Sequence, residues 1–301
     1  MKRILACMAL GLSLIAPVAY AAPITVHDGT HTVTIPDTPK RVVVLEFSFA
    51  DALAAVSVAP VGVADDKDAK RLPQAVRDII GTWTSVGTRG QPSIEAIAGL
   101  KPDLIVADLD RHSSVYTELS AIAPTLLLSS RGEDYQGSLK SAALIAQAVG
   151  KTPEMDARLV QHKEMMEKIA AQMPKGVSIL FGAAREDSFS VHGPQSYAGS
   201  VIASLGAIVP AMRDKGASTE FAGIEQLLSL DPEWLFVGNY RHPNIVDKWS
   251  KEELWSVLRA SRDNVVSVDS NVWARNRGIL SAEKIASDTL AIMQGKFTPV
   301  E

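Results

Sequence analysis

Ile94-Glu-Ala-Ile-Ala-Gly-Leu-Lys-Pro-Asp-Leu-Ile-Val106 returns in outline 130 residues later, as Ile224-Glu-Gln-Leu-Leu-Ser-Leu-Asp-Pro-Glu-Trp-Leu-Phe236. Each copy has the pattern of a helix, a proline turn and a buried strand. At the same offset, Arg111-His112 corresponds to Arg241-His242, and each pair comes just after its strand. The repeat predicts two related lobes that carry cationic loops at equivalent places.

Short apolar or β-branched runs alternate with helical patterns along the chain, which is typical of α/β folds. The strand candidates are Arg41–Leu45, Val61–Val63, Leu104–Ala107, Thr125–Leu128, Ser178–Phe181, Trp234–Val237 and Val265–Val268. In open α/β sheets, ligands bind beyond the carboxyl ends of the strands, where the loops converge. Two lobes facing each other would turn that edge into a cleft.

One long helical pattern lies between the two halves. It runs from Pro153 to Met173, and Pro174-Lys-Gly176 ends it. A helix of about 20 residues is about 30 Å long, which suits a strut between lobes, although an ordinary surface helix would show the same pattern. We therefore predict two Rossmann-like α/β lobes, over 22–150 and 175–301, bridged by a single long backbone helix over 151–174.

The first 21 residues have the layout of a cleavable signal peptide. Lys2 and Arg3 precede an apolar run, and the segment ends in the small-residue pattern Ala19-Tyr-Ala21. We expect export to the periplasm of a Gram-negative cell. Cys7 is the single cysteine and lies in this segment, so the mature chain is expected to hold no disulfide and no thiolate metal site.

The charge of the mature chain argues against a nucleic-acid partner. Without residues 1–21, the chain has 28 basic and 34 acidic residues, a net charge of −6. A cationic binding surface would therefore have to be local. The arginines in predicted loops are the candidates for it, because guanidinium groups pair bidentately with carboxylates: Arg89, Arg111, Arg185, Arg241 and Arg275. Arg277 is a further candidate, whereas Arg71 and Arg131 have the character of surface charges.

Several stretches resemble the iron-siderophore periplasmic binding proteins of ABC importers. The resemblance covers essentially the whole mature chain. The stretches of this chain that resemble the family as a whole are Lys40–Leu45, Ala59–Val63 and Lys101–Val106. Those that are similar to the members that bind ferric dicitrate are Glu46–Ala55, Val86–Ser93 and Ser267–Arg275. Tyr197 and the stretch Arg213–Ala222 depart from the family pattern.

The resemblance implies a receptor that binds ferric dicitrate in a shallow cleft. The chelator's own oxygens would hold the iron, so we expect no metal ligand from the protein and no cofactor. The partners would be an inner-membrane permease and its cytoplasmic ATPase, and the protein would act as a monomer. The residues expected to line the cleft are the five loop arginines with Glu46, Tyr197, Tyr240 and Trp273.

Glu95 and Glu225 occupy equivalent places in the repeat, in the first turns of two helices. There, an acidic residue stabilises the helix dipole. In the resembling family, the matching glutamates dock onto arginines of the permease. We therefore expect Glu95 and Glu225 to be the docking residues.

Three alternatives remain open at this point. The first is another anionic ferric siderophore, such as a catecholate. The second is a zinc or manganese carrier that uses His112, His192 and His242. The third is a hydrolase, but the sequence has no Gly-x-Ser-x-Gly and no His-Glu-x-x-His motif. We do not expect an enzyme.

Overall fold

The structure is a computed structural model that describes residues 22–300, so the predicted signal peptide lies outside the described residues. The first half contains the strands β1 (Ile24–His27), β2 (Thr32–Ile35), β3 (Val42–Val44), β4 (Gly62–Val63), β5 (Thr84–Ser85), β6 (Gly87–Thr88), β7 (Gln91–Pro92), β8 (Leu104–Asp108) and β9 (Thr125–Leu128). Its helices are α1 (Phe47–Ala55), α2 (Gln74–Ile80), α3 (Ile94–Gly99), α4 (Leu109–His112), α5 (Tyr116–Ile122) and α6 (Tyr135–Ala148).

The long helix α7 (Thr152–Ala170) leads into the second half. That half contains β10 (Ile179–Ala184), β11 (Phe189–His192), β12 (Thr219–Ala222), β13 (Trp234–Asn239) and β14 (Val265–Val268), with the helices α8 (Tyr197–Ser204), α9 (Ile224–Leu230), α10 (Ile245–Trp249) and α11 (Ile279–Met293). Short 3-10 turns lie at Ala69–Arg71, Ser113–Val115, Glu253–Val257 and Arg259–Arg262, and a π-helical turn lies at Asn271–Arg275.

Each half has its own five-stranded sheet. In the first lobe, the order is β5-β4-β3-β8-β9 and all pairs are parallel. In the second lobe, the order is β12-β11-β10-β13-β14, in which β10, β13 and β14 pair in parallel and β11 pairs antiparallel with both β10 and β12. The three central strands of the first sheet are buried on both faces, as parallel strands between helices should be. The predicted α/β fold with two lobes is confirmed.

The repeat seen in the sequence is a repeat of structure. α3 and β8 in the first lobe correspond to α9 and β13 in the second. The residue between helix and strand has a positive φ in both copies, 47° at Lys101 and 36° at Asp231. A proline follows each of them, and proline disfavours helical backbone in the residue before it. The two turns therefore reverse the chain in the same way.

The predicted connecting helix is present as α7, and one of its faces is buried. Met155, Met166 and Ile169 are buried in it, and they pack into the cores of the two lobes. The helix ends at Ala170, three residues before the predicted end at Met173. The difference arises because Met173 precedes Pro174 and is therefore disfavoured in helical conformation.

The lobes are also tied directly to each other. The carboxylate of Asp51 in α1 accepts hydrogen bonds from the backbone N–H groups of Leu280 and Ser281, both at 3.0 Å, and from the Ser281 hydroxyl at 2.9 Å. These bonds cap the start of α11 with a buried residue of the other lobe. On the opposite side, Nδ2 of Asn276 donates to the carbonyl of Arg71 at 3.2 Å. Within 22–300, no helix has both the length and the apolar character needed to span a membrane.

Candidate functional site

A cavity of about 790 Å³ opens between the lobes at the carboxyl ends of both sheets, and we call it the main cavity. Seven arginines line it. Arg89, Arg111 and Arg131 come from the first lobe, and Arg185, Arg241, Arg275 and Arg277 come from the second. Most of them follow the ends of β8, β9, β10, β13 and β14. The five predicted loop arginines therefore converge on one site, as parallel strands that end at a common edge require.

Arg89 is held rigidly by its own lobe. Its guanidinium contacts Asp66 through Nη2 at 2.9 Å and Nε at 3.2 Å, and its backbone N–H donates to the same carboxylate at 2.9 Å. The guanidinium also lies 3.9 Å from the centre of the Phe47 ring, a cation–π contact. Burial raises the pKa of Asp66, but the bonds from Arg89 outweigh it, so the pKa lies below its ordinary value.

Glu46 lies behind the arginines rather than on the cavity wall where we predicted it. It is fully buried, with Oε1 2.6 Å from Nε of Arg111 and Oε2 3.5 Å from Nη1 of Arg89. Burial raises the pKa of Glu46, while Arg89, Arg111 and Arg277 act against the rise. Glu46 is therefore a counter-charge that positions two guanidinium groups, and it has no surface with which to touch a ligand.

His112, the partner of Arg111 in the repeat, anchors the loop of Arg89. Its Nδ1 accepts a hydrogen bond from the backbone N–H of Asp108 at 2.9 Å, so Nε2 carries the proton and donates to the carbonyl of Arg89 at 2.8 Å. The ring is fully buried, and burial lowers its pKa. A neutral His112 therefore fixes this loop across the ordinary pH range.

On the second lobe, the ring of Tyr240 lies between two arginines. The guanidinium of Arg275 is 4.0 Å from the ring centre, and that of Arg185 is 4.6 Å from it. The aromatic ring spaces the two like charges and attracts both. Arg241 is more exposed and is paired with Glu186 at 2.6 Å. Tyr240 thus lines the cavity as predicted.

Four of the seven arginines form no ion pair with any carboxylate of residues 22–300: Arg131, Arg185, Arg275 and Arg277. Burial lowers the pKa of Arg275 and Arg277. The attraction of Tyr240 for Arg275 and of Glu46 for Arg277 opposes the fall, while neighbouring guanidinium groups add to it. Arg131 and Arg185 are exposed, whereas the partly buried charges of Arg275 and Arg277 are costly until an anion neutralises them. The main cavity is thus a site preorganised for a multiply charged anion.

Two predicted lining residues, Tyr197 and Trp273, are buried and do not line the main cavity. Tyr197 is 3% exposed, and its hydroxyl bonds to the backbone of Gly278. Trp273 is 1% exposed and packs against Phe181 and Phe236. Both line a smaller adjoining cavity of about 270 Å³, which shares Arg131 and Arg277 with the main cavity. Large aromatic side chains near a cleft fill the core beneath it when the side chain points inward.

Arg131, predicted to be an ordinary surface charge, is exposed but lines the main cavity, and Asp108 was missed by the sequence analysis. The carboxylate of Asp108 accepts from the backbone N–H of Arg111 at 2.9 Å and from that of Arg131 at 3.1 Å. One buried acid at the end of β8 therefore orients two loops that carry cleft arginines. The available signal was position: Arg131 comes three residues after the end of β9, where a cleft residue is expected.

The described part of the chain offers no metal site of its own. No group of three or more histidine, cysteine or acidic side chains among residues 22–300 lies close enough to hold an ion. His112 is committed to backbone bonds, and His242 lies 3.0 Å from Asp247, outside the main cavity. His192 does line the cavity, but burial and then the charges of Arg277 and Arg185 lower its pKa to about 3.

Glu95 and Glu225 lie away from the cavity at equivalent places on the two lobes. Each is in the first turn of its helix, α3 or α9, and each side chain is exposed. Neither forms an ion pair within the part of the chain that the structure covers. The two carboxylates are therefore free to meet a partner.

Comparison with known proteins gives the family. A family model described as periplasmic binding protein matches residues 42–271, which is most of the chain. The chain belongs to this family. The binding protein is 54% identical over 283 residues to the Fe(3+) dicitrate-binding periplasmic protein FecB of Escherichia coli (strain K12), covering 94% of this chain and 93% of that protein.

A second relative and a solved structure are also similar over most of the chain. The Fe(3+)-citrate-binding protein YfmC of Bacillus subtilis (strain 168) is 40% identical over 274 residues, covering 90% of this chain and 86% of that protein. Among solved structures, Staphylococcus aureus SirA complexed with staphyloferrin B superposes with a TM-score of 0.76 at 23% identity. The match covers 91% of this chain and 99% of SirA, and it supports the two-lobed fold.

Proposed function

We propose that this binding protein captures an anionic iron(III) chelate of citrate in the main cavity and delivers it to an ABC importer. The observation that carries the proposal is the set of four cavity arginines without a carboxylate partner among the described residues: Arg131, Arg185, Arg275 and Arg277. These charges are supplied by both lobes, so an anion bound between them would join the two halves.

The chemistry of the wall fits a complex whose metal is already coordinated. Guanidinium groups bind carboxylate oxygens in bidentate pairs and are poor ligands for a metal ion. Ferric citrate complexes carry projecting carboxylates, whereas their iron is held by citrate oxygens. A volume of about 790 Å³ is within the range of cavities that enclose small ligands. The names of FecB and YfmC support citrate as the chelator.

The ligand is tested by fluorescence titration of the mature protein with ferric citrate, a ferric tris-catecholate and a ferric hydroxamate. We expect ferric citrate to bind most tightly. The affinity should fall as NaCl rises from about 0.05 to about 0.5 M, because salt screens the guanidinium groups. Tighter binding of the catecholate would show that the ligand is a ferric catecholate rather than ferric citrate. Tight binding of the neutral hydroxamate would refute the argument that the arginines select an anionic ligand.

For delivery, we propose that Glu95 and Glu225 pair with cationic residues of the two permease subunits. Their equivalent positions on related lobes suit a transporter built from two related halves. The double variant Glu95→Arg, Glu225→Arg should lose iron uptake in cells that carry the importer while keeping its affinity for ferric citrate. Loss of that affinity would instead assign the two glutamates to ligand binding or folding.

The site is proposed to bind without catalysis, and ATP hydrolysis would belong to the importer. We further propose that residues 1–21 direct the chain to the periplasm and are then removed. Mass spectrometry of protein recovered from a periplasmic extract tests the second point, with an N-terminus near Ala22 as the expected result.

A further inference from the structure

The turn that brings Arg275 to the main cavity is the π-helical turn Asn271–Arg275. It follows β14 and is closed by a hydrogen bond from the backbone N–H of Asn276 to the carbonyl of Asn271 at 3.0 Å. Turns of this kind are rare and occur frequently at functional sites. Asn271 and Arg275 stand at the two ends of the turn, and their side chains meet. The turn therefore gives this cavity arginine a fixed neighbour.

The side-chain amide of Asn271 forms one hydrogen bond to each lobe. Its Oδ1 accepts from Nη1 of Arg275 at 2.8 Å, and its Nδ2 donates to the carbonyl of Lys70 in the first lobe at 3.4 Å. A guanidinium group can only donate and a carbonyl can only accept, so the two partners determine the orientation of the amide. An ionised carboxylate has no donor, and a hydroxyl has only one oxygen, so neither could replace the amide here.

The bond to Asn271 leaves one edge of the Arg275 guanidinium open. No acceptor among residues 22–300 takes a hydrogen bond from its Nε or Nη2. These two groups donate in parallel, which is the arrangement that binds both oxygens of a carboxylate. The face of the guanidinium lies against the ring of Tyr240, 4.0 Å from the ring centre. Tyr240 therefore fixes the plane of the group, and Asn271 fixes its direction within that plane.

The first-lobe side of this bridge is tied to Arg89. Lys70 lies in a 3-10 turn with Arg71, whose Nη1 binds the carboxylate of Asp66 at 3.1 Å. That carboxylate also binds Nη2 of Arg89 at 2.9 Å. Nη1 of Arg89 in turn donates to the carbonyl of Arg275 at 3.3 Å. The contacts thus form a closed ring that crosses between the lobes twice and contains one cavity arginine from each lobe.

We propose that Asn271 is a positioning residue for ligand binding, which holds the guanidinium of Arg275 at a place set by the first lobe. Asn271 lines neither of the two adjoining cavities, so it acts through Arg275 and not by touching the ligand. Arg89 and Arg275 then face the chelate with a spacing that the ring of contacts determines. The inference rests on the proposed function and adds to it a residue that sets affinity without contact.

A double-mutant cycle with Arg275 tests this role. Asn271→Ala removes both bonds of the amide, and Arg275→Met removes the guanidinium that the amide holds. Asn264→Ala is the matched control, because the Nδ2 of Asn264 also donates to a backbone carbonyl, that of Glu233 at 3.1 Å, and Asn264 lines neither cavity. Calorimetry gives the affinity of each variant for ferric citrate, and thermal unfolding without ligand shows whether each variant is folded.

We expect Asn271→Ala to weaken ferric citrate binding about fivefold or more, and Asn264→Ala to weaken it less than about twofold. In the Arg275→Met background, Asn271→Ala should weaken binding by less than about a further twofold, because residues that act through one contact are not additive. A merely structural Asn271 would weaken binding by the same factor in both backgrounds. That result, or an unchanged affinity in Asn271→Ala alone, would overturn the proposal.

Failure of this inference is distinguishable from failure of the proposed function. If Arg275→Met binds ferric citrate more weakly but the cycle is additive, only the positioning role is lost. If Arg275→Met binds normally, the proposed ligand site itself loses its support. Asn271→Ser replaces Asn271→Ala if the latter does not fold, since one hydroxyl oxygen cannot reach both partners. Arg275→Lys, which keeps the charge without the planar fork, replaces Arg275→Met if binding becomes too weak to measure.

Discussion

Arg277→Met should weaken ligand binding and stabilise the empty protein. Arg277 lines both cavities and has no ion pair or hydrogen bond with another described residue. A hydrogen bond to a charged group contributes about 1.5–3 kcal/mol. At about 1.4 kcal/mol per tenfold change, the loss of one such bond to the chelate corresponds to about 10- to 150-fold weaker binding of ferric citrate.

The opposite sign for stability follows from the surroundings of Arg277. Burial lowers its pKa, and the attraction of Glu46 opposes this fall while the charges of Arg89 and Arg111 add to it. The pKa stays below its ordinary value, so folding brings this charge into an unfavourable place. Removing it should raise the free energy of unfolding by about 0.5–2 kcal/mol, the usual range for a stabilising substitution. For a domain of this size, each kcal/mol corresponds to roughly 2–4 °C in Tm.

Arg241→Met is the matched control for stability, because Arg241 also lines the main cavity but is exposed and paired with Glu186. Its stability should change by less than about 0.5 kcal/mol. Titration with ferric citrate gives the affinities, and thermal unfolding in a buffer without polyvalent anions gives the stabilities. If Arg277→Met lost stability and kept its affinity, Arg277 would be a structural residue and the argument from unpaired charge would be wrong.

Three further predictions concern pH, the lobe interface and the loop of Arg89. Burial raises the pKa of Glu133 to about 7, so the folded protein holds this proton more tightly than the unfolded chain does. The stability that the bound proton provides is present in full below about pH 4.5 and is lost as the pH rises through 7. Urea unfolding at pH 5 to 8 should show this decline, and Glu133→Gln should reduce it. Asp51→Asn should lower the free energy of unfolding by about 1–3 kcal/mol, since one amide oxygen cannot replace a carboxylate that accepts three hydrogen bonds. An unchanged urea midpoint would show that the bonds from Asp51 to α11 do not stabilise the contact between the lobes. His112→Ala should weaken ferric citrate binding, because the loop of Arg89 loses the hydrogen bond that holds it. The amide of His112→Gln can donate to the same carbonyl. Restored affinity in that variant would show that the hydrogen bond, and not the packing of the ring, positions Arg89.

The repeat of helix, turn and strand was the strongest information in the sequence. It predicted equivalent lobes, and the loops after β8 and β13 bring Arg111 and Arg241 to one cavity. The seven predicted strands lie within a few residues of β3, β4, β8, β9, β10, β13 and β14, because buried parallel strands are continuous apolar runs. The local sequence pattern was therefore sufficient to locate these helices and strands, whose conformation depends mainly on their own residues. The antiparallel strands β1, β2, β11 and β12 and the short strands β5, β6 and β7 were not predicted.

Burial of individual polar and aromatic side chains could not be predicted in the same way. Glu46, Tyr197 and Trp273 are close in sequence to cleft loops, but their side chains point into the protein. Their direction depends on the packing of other segments, which no local pattern contains. Arg131 shows the reverse case: it has the sequence context of a surface residue, and only the fold of β9 and Asp108 brings it to the cavity.

The ties between the lobes have a consequence for how an importer could distinguish a loaded receptor from an empty one. A wide hinge motion would break the cap that Asp51 forms on α11 and the bond between Asn276 and Arg71. Both states should therefore share nearly the same outline. The larger difference lies in the electric field at the mouth of the cleft, which is strongly positive when the guanidinium groups face solvent and is cancelled when an anion covers them.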